Sequence, residues 1–185
     1  MRIQGTLPMI SRAHYKLDEY TTEYGALIFD DSRSGAIHNT FMYTILWTNQ
    51  LNQNGHLDFY IDKDSGRFKS IWFVLLSGFE ISYKEKFESW TNGILVEPIV
   101  DIKFLWEDMP NVNSDGSWKR LKRLFPVKIY HNKRDVVQFK FGDCFQQIVL
   151  NEKVSMFLDK ESNLSSIVIR DFEEVNKLLE RLVHK

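Results

Sequence analysis

Between positions 57 and 68 the chain reads Leu57-Asp58-Phe59-Tyr60-Ile61-Asp62-Lys63-Asp64-Ser65-Gly66-Arg67-Phe68. Leu57, Phe59 and Ile61 repeat with a period of two against Asp58 and Tyr60, as in a strand with one buried face. Asp62-Lys63-Asp64-Ser65-Gly66 then supplies turn formers, and Gly66 can take the positive φ that a tight hairpin loop requires. A lone hairpin is barely stable in water, so further strands must flank this one. On the N-terminal side, Phe41, Tyr43, Ile45 and Trp47 alternate; a helix is the competing reading, because Ile37, Phe41 and Ile45 are also spaced by four. Gly25-Ala26-Leu27-Ile28-Phe29 reads as a short strand, whereas residues 11–24 fit neither period. On the C-terminal side, the apolar run from Ile71 to Leu76 suits a fully buried strand, and Phe79 to Lys84 alternates strictly. Val100, Ile102, Phe104 and Trp106 alternate against Asp101 and Lys103, predicting one more strand.

Composition agrees with this pattern. Aromatic residues make up 14% of the 185 residues, and alanine occurs only at Ala13, Ala26 and Ala36. Aromatic side chains favour strands and alanine is the best helix former, so an all-helical bundle is excluded. Fourteen aromatics lie between Phe41 and Trp106, many on the alternating positions, which makes them the filling of a β core.

Residues 107–117 hold Pro110, two asparagines, Asp115 and Gly116 and give the longest loop signal, a candidate hinge between two packed halves of a single domain. After it come Val127/Ile129, Val137/Phe139/Phe141, Ile148/Leu150, Val154/Met156/Leu158 and Ile167/Ile169, short strands separated by turn residues as in an antiparallel meander. At the end, Asp171 with Glu174 resembles a capping box, and Phe172, Val175, Leu178, Leu179, Leu182 and Val183 recur at helical spacing. The expected class is therefore α+β: a mainly antiparallel sheet, meander-like or sandwich-like, with an amphipathic helix over 171–184 packed on it.

Several chemistries are disfavoured. The first residues lack the apolar core of a secretory signal, and the longest strongly apolar run, Ile71 to Leu76, is far short of a membrane span. This predicts a cytoplasmic chain with no membrane role. Cys144 is the single cysteine, which excludes an internal disulfide and any multi-thiolate metal cage. Lying near His131 in sequence, it is a conceivable nucleophile, but a cysteine between phenylalanines reads as a small buried hydrophobe. His14, His38, His56, His131 and His184 form no metal-ligand pair, and Asp62 to Gly66 misplaces its glycine for a calcium loop. No cofactor and no metal are expected. A nucleophile elbow, a phosphate-binding loop and a dinucleotide fingerprint are all missing from the sequence.

The most unusual local feature is residues 118–134. It contains seven basic residues, Lys119, Arg120, Lys122, Arg123, Lys128, Lys133 and Arg134, and no acid, with Trp118, Phe125 and Tyr130 interleaved. Cations beside stacking aromatics are how single-stranded nucleic acid is held. The net charge of −1 weakens that reading, and residues 18–31 carry five acids and no base that could pair with the stretch. Trp47, Trp72 and Trp106 sit in apolar strands and read as core. Trp90 and Trp118 sit beside turns, where tryptophan is a favoured interface anchor. The candidate binding residues are therefore Trp118, Lys119, Arg120, Lys122, Arg123, Phe125, Tyr130, Lys133, Arg134 and Trp90.

The expected function is non-catalytic: a small soluble protein that binds another macromolecule, a protein partner first and an acidic one in particular. Bacterial toxin-neutralising immunity proteins are one such niche. The alternatives are a hydrolase whose site is assembled from scattered carboxylates or histidines, and a β module binding carbohydrate or nucleic acid.

Overall fold

The computed structural model describes residues 1–8, 14–17, 24–28, 40–48, 54–74, 81–87, 96–107, 120–124, 127–132, 135–150 and 153–170. In chain order its strands are β1 (Ile3–Pro8), β2 (His14–Leu17), β3 (Tyr24–Ile28), β4 (Thr40–Thr48), β5 (Asn54–Asp62), β6 (Phe68–Val74), β7 (Ile81–Tyr83) and β8 (Val96–Val100). A short helix, α1 (Ile102–Glu107), precedes β9 (Arg120–Leu124), β10 (Lys128–His131), β11 (Val136–Lys140), β12 (Gln146–Val149), β13 (Val154–Leu158) and β14 (Leu164–Arg170).

Two six-stranded sheets carry the fold. The first runs β2-β3-β6-β5-β4-β9, the second β12-β13-β14-β11-β10-β7, and β1 and β8 form a separate ribbon. All pairings are antiparallel except β4 with β9 and β7 with β10. The alternation read from the sequence is the physical one. Leu57, Phe59 and Ile61 are fully buried, and Phe41, Tyr43 and Ile45 face them from β4. Tilted ring contacts join Phe59 to Tyr43 and Phe68 at 6.2 and 6.0 Å between centroids. The same apolar core takes Val137, Phe139, Met156, Ile167 and Ile169 from the second sheet and Ile3 and Val100 from the ribbon.

The ribbon ties the sheets together through backbone bonds. On β8, the Val100 amide donates to Gly66 O in the β5–β6 turn at 2.9 Å. From β1, the Ile3 amide donates to Ser162 O at 2.9 Å, in the β13–β14 turn. Gly66 has φ +73°, and a Cβ there would lie 2.5 Å from Val100 O, so both conformation and close approach require glycine. Beside it Arg67 makes a bidentate pair with Glu97 on β8, Nε to Oε1 at 3.0 Å and Nη2 to Oε2 at 2.6 Å, and Glu97 is buried. Removing the arginine strands a buried carboxylate. Because the guanidinium is itself partly exposed, Arg67→Ala is expected to cost about 2 kcal/mol in urea unfolding, with Arg67→Lys intermediate.

In the β13–β14 turn, Ser162 adopts φ 65°, a left-handed conformation that costs a residue bearing a Cβ. Asp159 organises the turn by accepting from the Glu161 and Asn163 amides, both at 2.8 Å. Ser162→Gly is expected to raise stability by up to about 1 kcal/mol, read as a shift of the denaturant midpoint at constant slope.

The structure corrects three readings of the sequence. First, the α+β class is overturned. The described residues are nearly all strand, their helical content is the six-residue α1, and no amphipathic C-terminal helix is seen; residues 171–184 lie outside the described set. Second, Ile102, Phe104 and Trp106 belong to α1 and do not continue β8. Asp101 caps this helix by accepting the Phe104 amide at 3.1 Å, and its own amide is held by Arg2 O at 2.9 Å. Third, Trp72 is half-buried and not core. It pairs in register with Asp58 on the face turned away from the core, and its ring meets Tyr60 edge-on at 6.2 Å. Of the candidate hinge, 107–117, Glu107 ends α1 and residues 108–117 lie outside the described residues. No helix among the described residues is long and apolar enough to cross a membrane.

Candidate functional site

The basic stretch is divided by the fold. Arg120, Lys122 and Arg123 lie on β9, at one end of the first sheet, whereas Tyr130 lies on β10 in the second. Trp118, Lys119, Phe125, Lys133, Arg134 and Trp90 lie outside the described residues. The structure thus joins three of the candidate cations in one strand and separates them from one of the aromatics that had suggested base stacking.

Strand β9 pairs in parallel with β4, placing Arg120 opposite Met42, Lys122 opposite Thr44 and Arg123 opposite Ile45. On its other side no strand pairs with it among the described residues. The row that contains Lys122 continues across the sheet through Thr44, Asp58 and Trp72. Three residues of this neighbourhood are bonded to one another. The Thr44 hydroxyl donates to Asp58 Oδ1, and His56 Nε2 pairs with Asp58 Oδ2 at 3.3 Å. Thr44 is fully buried and Asp58 nearly so, while His56 is half-buried. This geometry does not prepare a nucleophile. In a hydroxyl–imidazole–carboxylate relay the hydroxyl must donate to the imidazole, whereas here hydroxyl and imidazole both address the carboxylate. Asp58 is instead a buried carboxyl bonded from two sides, cross-linking β4 to β5 beside β9. Its sequence signal was the polar half of the alternation in β5, positions 56, 58 and 60, which reads as an unremarkable outward face until register brings Thr44 alongside.

Tyr130 has a different environment. The Lys84 ammonium sits 5.5 Å from the Tyr130 ring centroid and 5.3 Å from that of Phe87, and donates to Gln138 Oε1 at 3.3 Å. Gln138 is fully buried and donates through Nε2 to Ser166 Oγ at 2.9 Å. The ring is thus engaged in fastening the segment after β7 to the second sheet. On the same sheet Phe157, Val136 and Val168 form a small apolar cluster against which Phe87 and Cys144 pack. Cys144 is only partly buried, and Ser165 Oγ lies 3.9 Å from its sulfur. It packs as a small hydrophobe, less enclosed than the sequence suggested.

The Asp62 loop is a turn. Asp62 Oδ1 accepts the Ser65 amide at 2.9 Å, the Ser65 hydroxyl at 2.8 Å and the Asp64 amide at 3.2 Å. Partial burial raises the Asp62 pKa, but those Ser65 and Asp64 hydrogen bonds, with the charge of Lys69, outweigh it and hold the carboxyl below its usual value. The loop thus uses Asp62 Oδ1 to hold its own turn. Among the described residues no three His, Cys, Asp or Glu side chains converge as a metal ion would require.

Comparison of the chain with protein-family models and with curated proteins finds no match.

Proposed function

We propose that this protein is a non-catalytic binding protein whose partner is another, acidic protein, engaged at the β9 end of the first sheet. The observation that supports this reading is the placement of Arg120, Lys122 and Arg123 on a strand at the end of a six-stranded sheet. A strand within a sheet has its backbone already ordered, so less ordering cost is met on association than a loop would incur. Charge complementarity to an acidic surface raises the association rate and rejects basic competitors. Within this class, the niche we propose is a toxin-neutralising, immunity-type protein of the bacterial cytoplasm, where the lone thiol of Cys144 would stay reduced. The nucleic-acid reading has less support, because Tyr130 lies on the other sheet, against Lys84.

A photo-crosslinking residue at Lys122, introduced into the full chain in the cells that make it, tests this reading. The expected result is a crosslinked protein with an acidic surface, whose capture falls about tenfold or more in the Arg120→Glu/Arg123→Glu variant. The circular dichroism and unfolding midpoint of that variant should match the parent. Capture that is indifferent to the charge reversal, or crosslinks confined to nucleic acid, would overturn it.

A further inference from the structure

We infer that the partner segment is an extended acidic stretch that adds to β9 as a seventh strand of the first sheet, an inference that rests on the binding reading above. Three observations carry it. β9 is bonded on one side only among the described residues, to β4. In a parallel pair every second residue directs its N–H and C=O toward the neighbour and the others direct theirs away, and no strand among the described residues takes those on the far side of β9. And three of its five residues, Arg120, Lys122 and Arg123, are basic with no acid among them.

Strand addition uses such an edge by backbone hydrogen bonding for affinity and alternate side chains for selection. A rival explanation must be met. Lysine and arginine on an end strand also discourage self-association of sheets, with no partner intended. The two explanations diverge in what happens when an extended polyanionic chain is supplied: an edge guard binds nothing, or binds by charge alone.

The experiment uses the full chain and a fluorescent peptide of alternating glutamate and threonine, read by anisotropy. Strand addition predicts saturable binding that drops about tenfold or more when alternate backbone amides of the peptide are N-methylated, since each methyl removes a donor without altering charge. It also predicts loss of binding in the Arg120→Glu/Arg123→Glu variant and none to a lysine–threonine peptide. If the N-methylated peptide binds equally well, the strand-addition inference is overturned while the basic end of the sheet still stands as the binding surface. If no acidic peptide binds, the charges are an edge guard and the inference is overturned. If, in addition, the Lys122 crosslinks prove indifferent to charge reversal, the binding reading falls with it. Tighter binding to a single-stranded oligonucleotide than to the acidic peptide would overturn both.

Discussion

Phe59→Ala is expected to lower the unfolding free energy by about 3–5 kcal/mol, the range for deleting a large aromatic side chain from a packed core. Phe59 is fully buried at the centre of β5, contacts the rings of Tyr43 on β4 and Phe68 on β6, and belongs to the cluster that also takes Phe139 and Met156 from the second sheet. Neighbouring strands on both sides hold their register through backbone bonds, so the surroundings can collapse only partly onto the gap. Phe59→Leu keeps much of the volume and is expected to cost about half as much. The measurement is urea unfolding monitored by tryptophan fluorescence and circular dichroism together. Coincident transitions shifted to lower urea are the predicted outcome. A change below about 1 kcal/mol would show that the two sheets do not share this core.

Gly66→Ala is expected to cost about 3 kcal/mol, from one methyl group at a turn residue buried against β8. Left-handed backbone at φ +73° accounts for part of this, and the contact of the new Cβ with Val100 O, 2.5 Å from its ideal position, for the rest. The turn cannot move away freely. Asp62 accepts three hydrogen bonds within it, and the Val100 amide is bonded to Gly66 O, so relief of the clash separates β8 from the hairpin. The variant should therefore show a second effect that a simple loop lesion would not, faster amide exchange at Val100 and along β8. In a chain of this size the midpoint of thermal unfolding should fall by roughly 6–12 °C. Wild-type stability in Gly66→Ala would mean that the turn is not seated on β8.

These two sites also mark how far the sequence could be read. The β5–β6 hairpin was legible because its information is local: Leu57, Phe59 and Ile61 alternate, and Gly66 sits where the turn needs it. The ribbon that this turn contacts was not legible. Ile3–Pro8 contains Gly5 and Pro8 and has no clean period, and its partner Val96–Val100 lies far along the chain. Helix α1 was misread because Ile102, Phe104 and Trp106 are two apart, as on a strand. What ends β8 is Asp101, pinned by Arg2 O and capping Phe104, a contact with the residue just before β1. Alternation was blurred in the second sheet, where β13 is buried on both faces: Met156 joins the main core and Phe157 the smaller cluster.

The candidate site shows the same division. A basic, acid-free run was visible in the sequence as charge pattern alone. That its centre forms an end strand depends on parallel pairing with β4, and that Tyr130 belongs elsewhere depends on the second sheet; both are non-local. The carboxylate of Asp58, with Thr44 and His56 bonded to it, was hidden in the polar half of an ordinary alternation.

Amide hydrogen exchange on the full chain, with and without the alternating glutamate–threonine peptide, tests the central claim most directly. Binding at the end of the first sheet predicts slowed exchange in Arg120–Leu124, with β11 and β14 of the second sheet unchanged. Protection confined to the second sheet, or none in Arg120–Leu124 at saturating peptide, would contradict it.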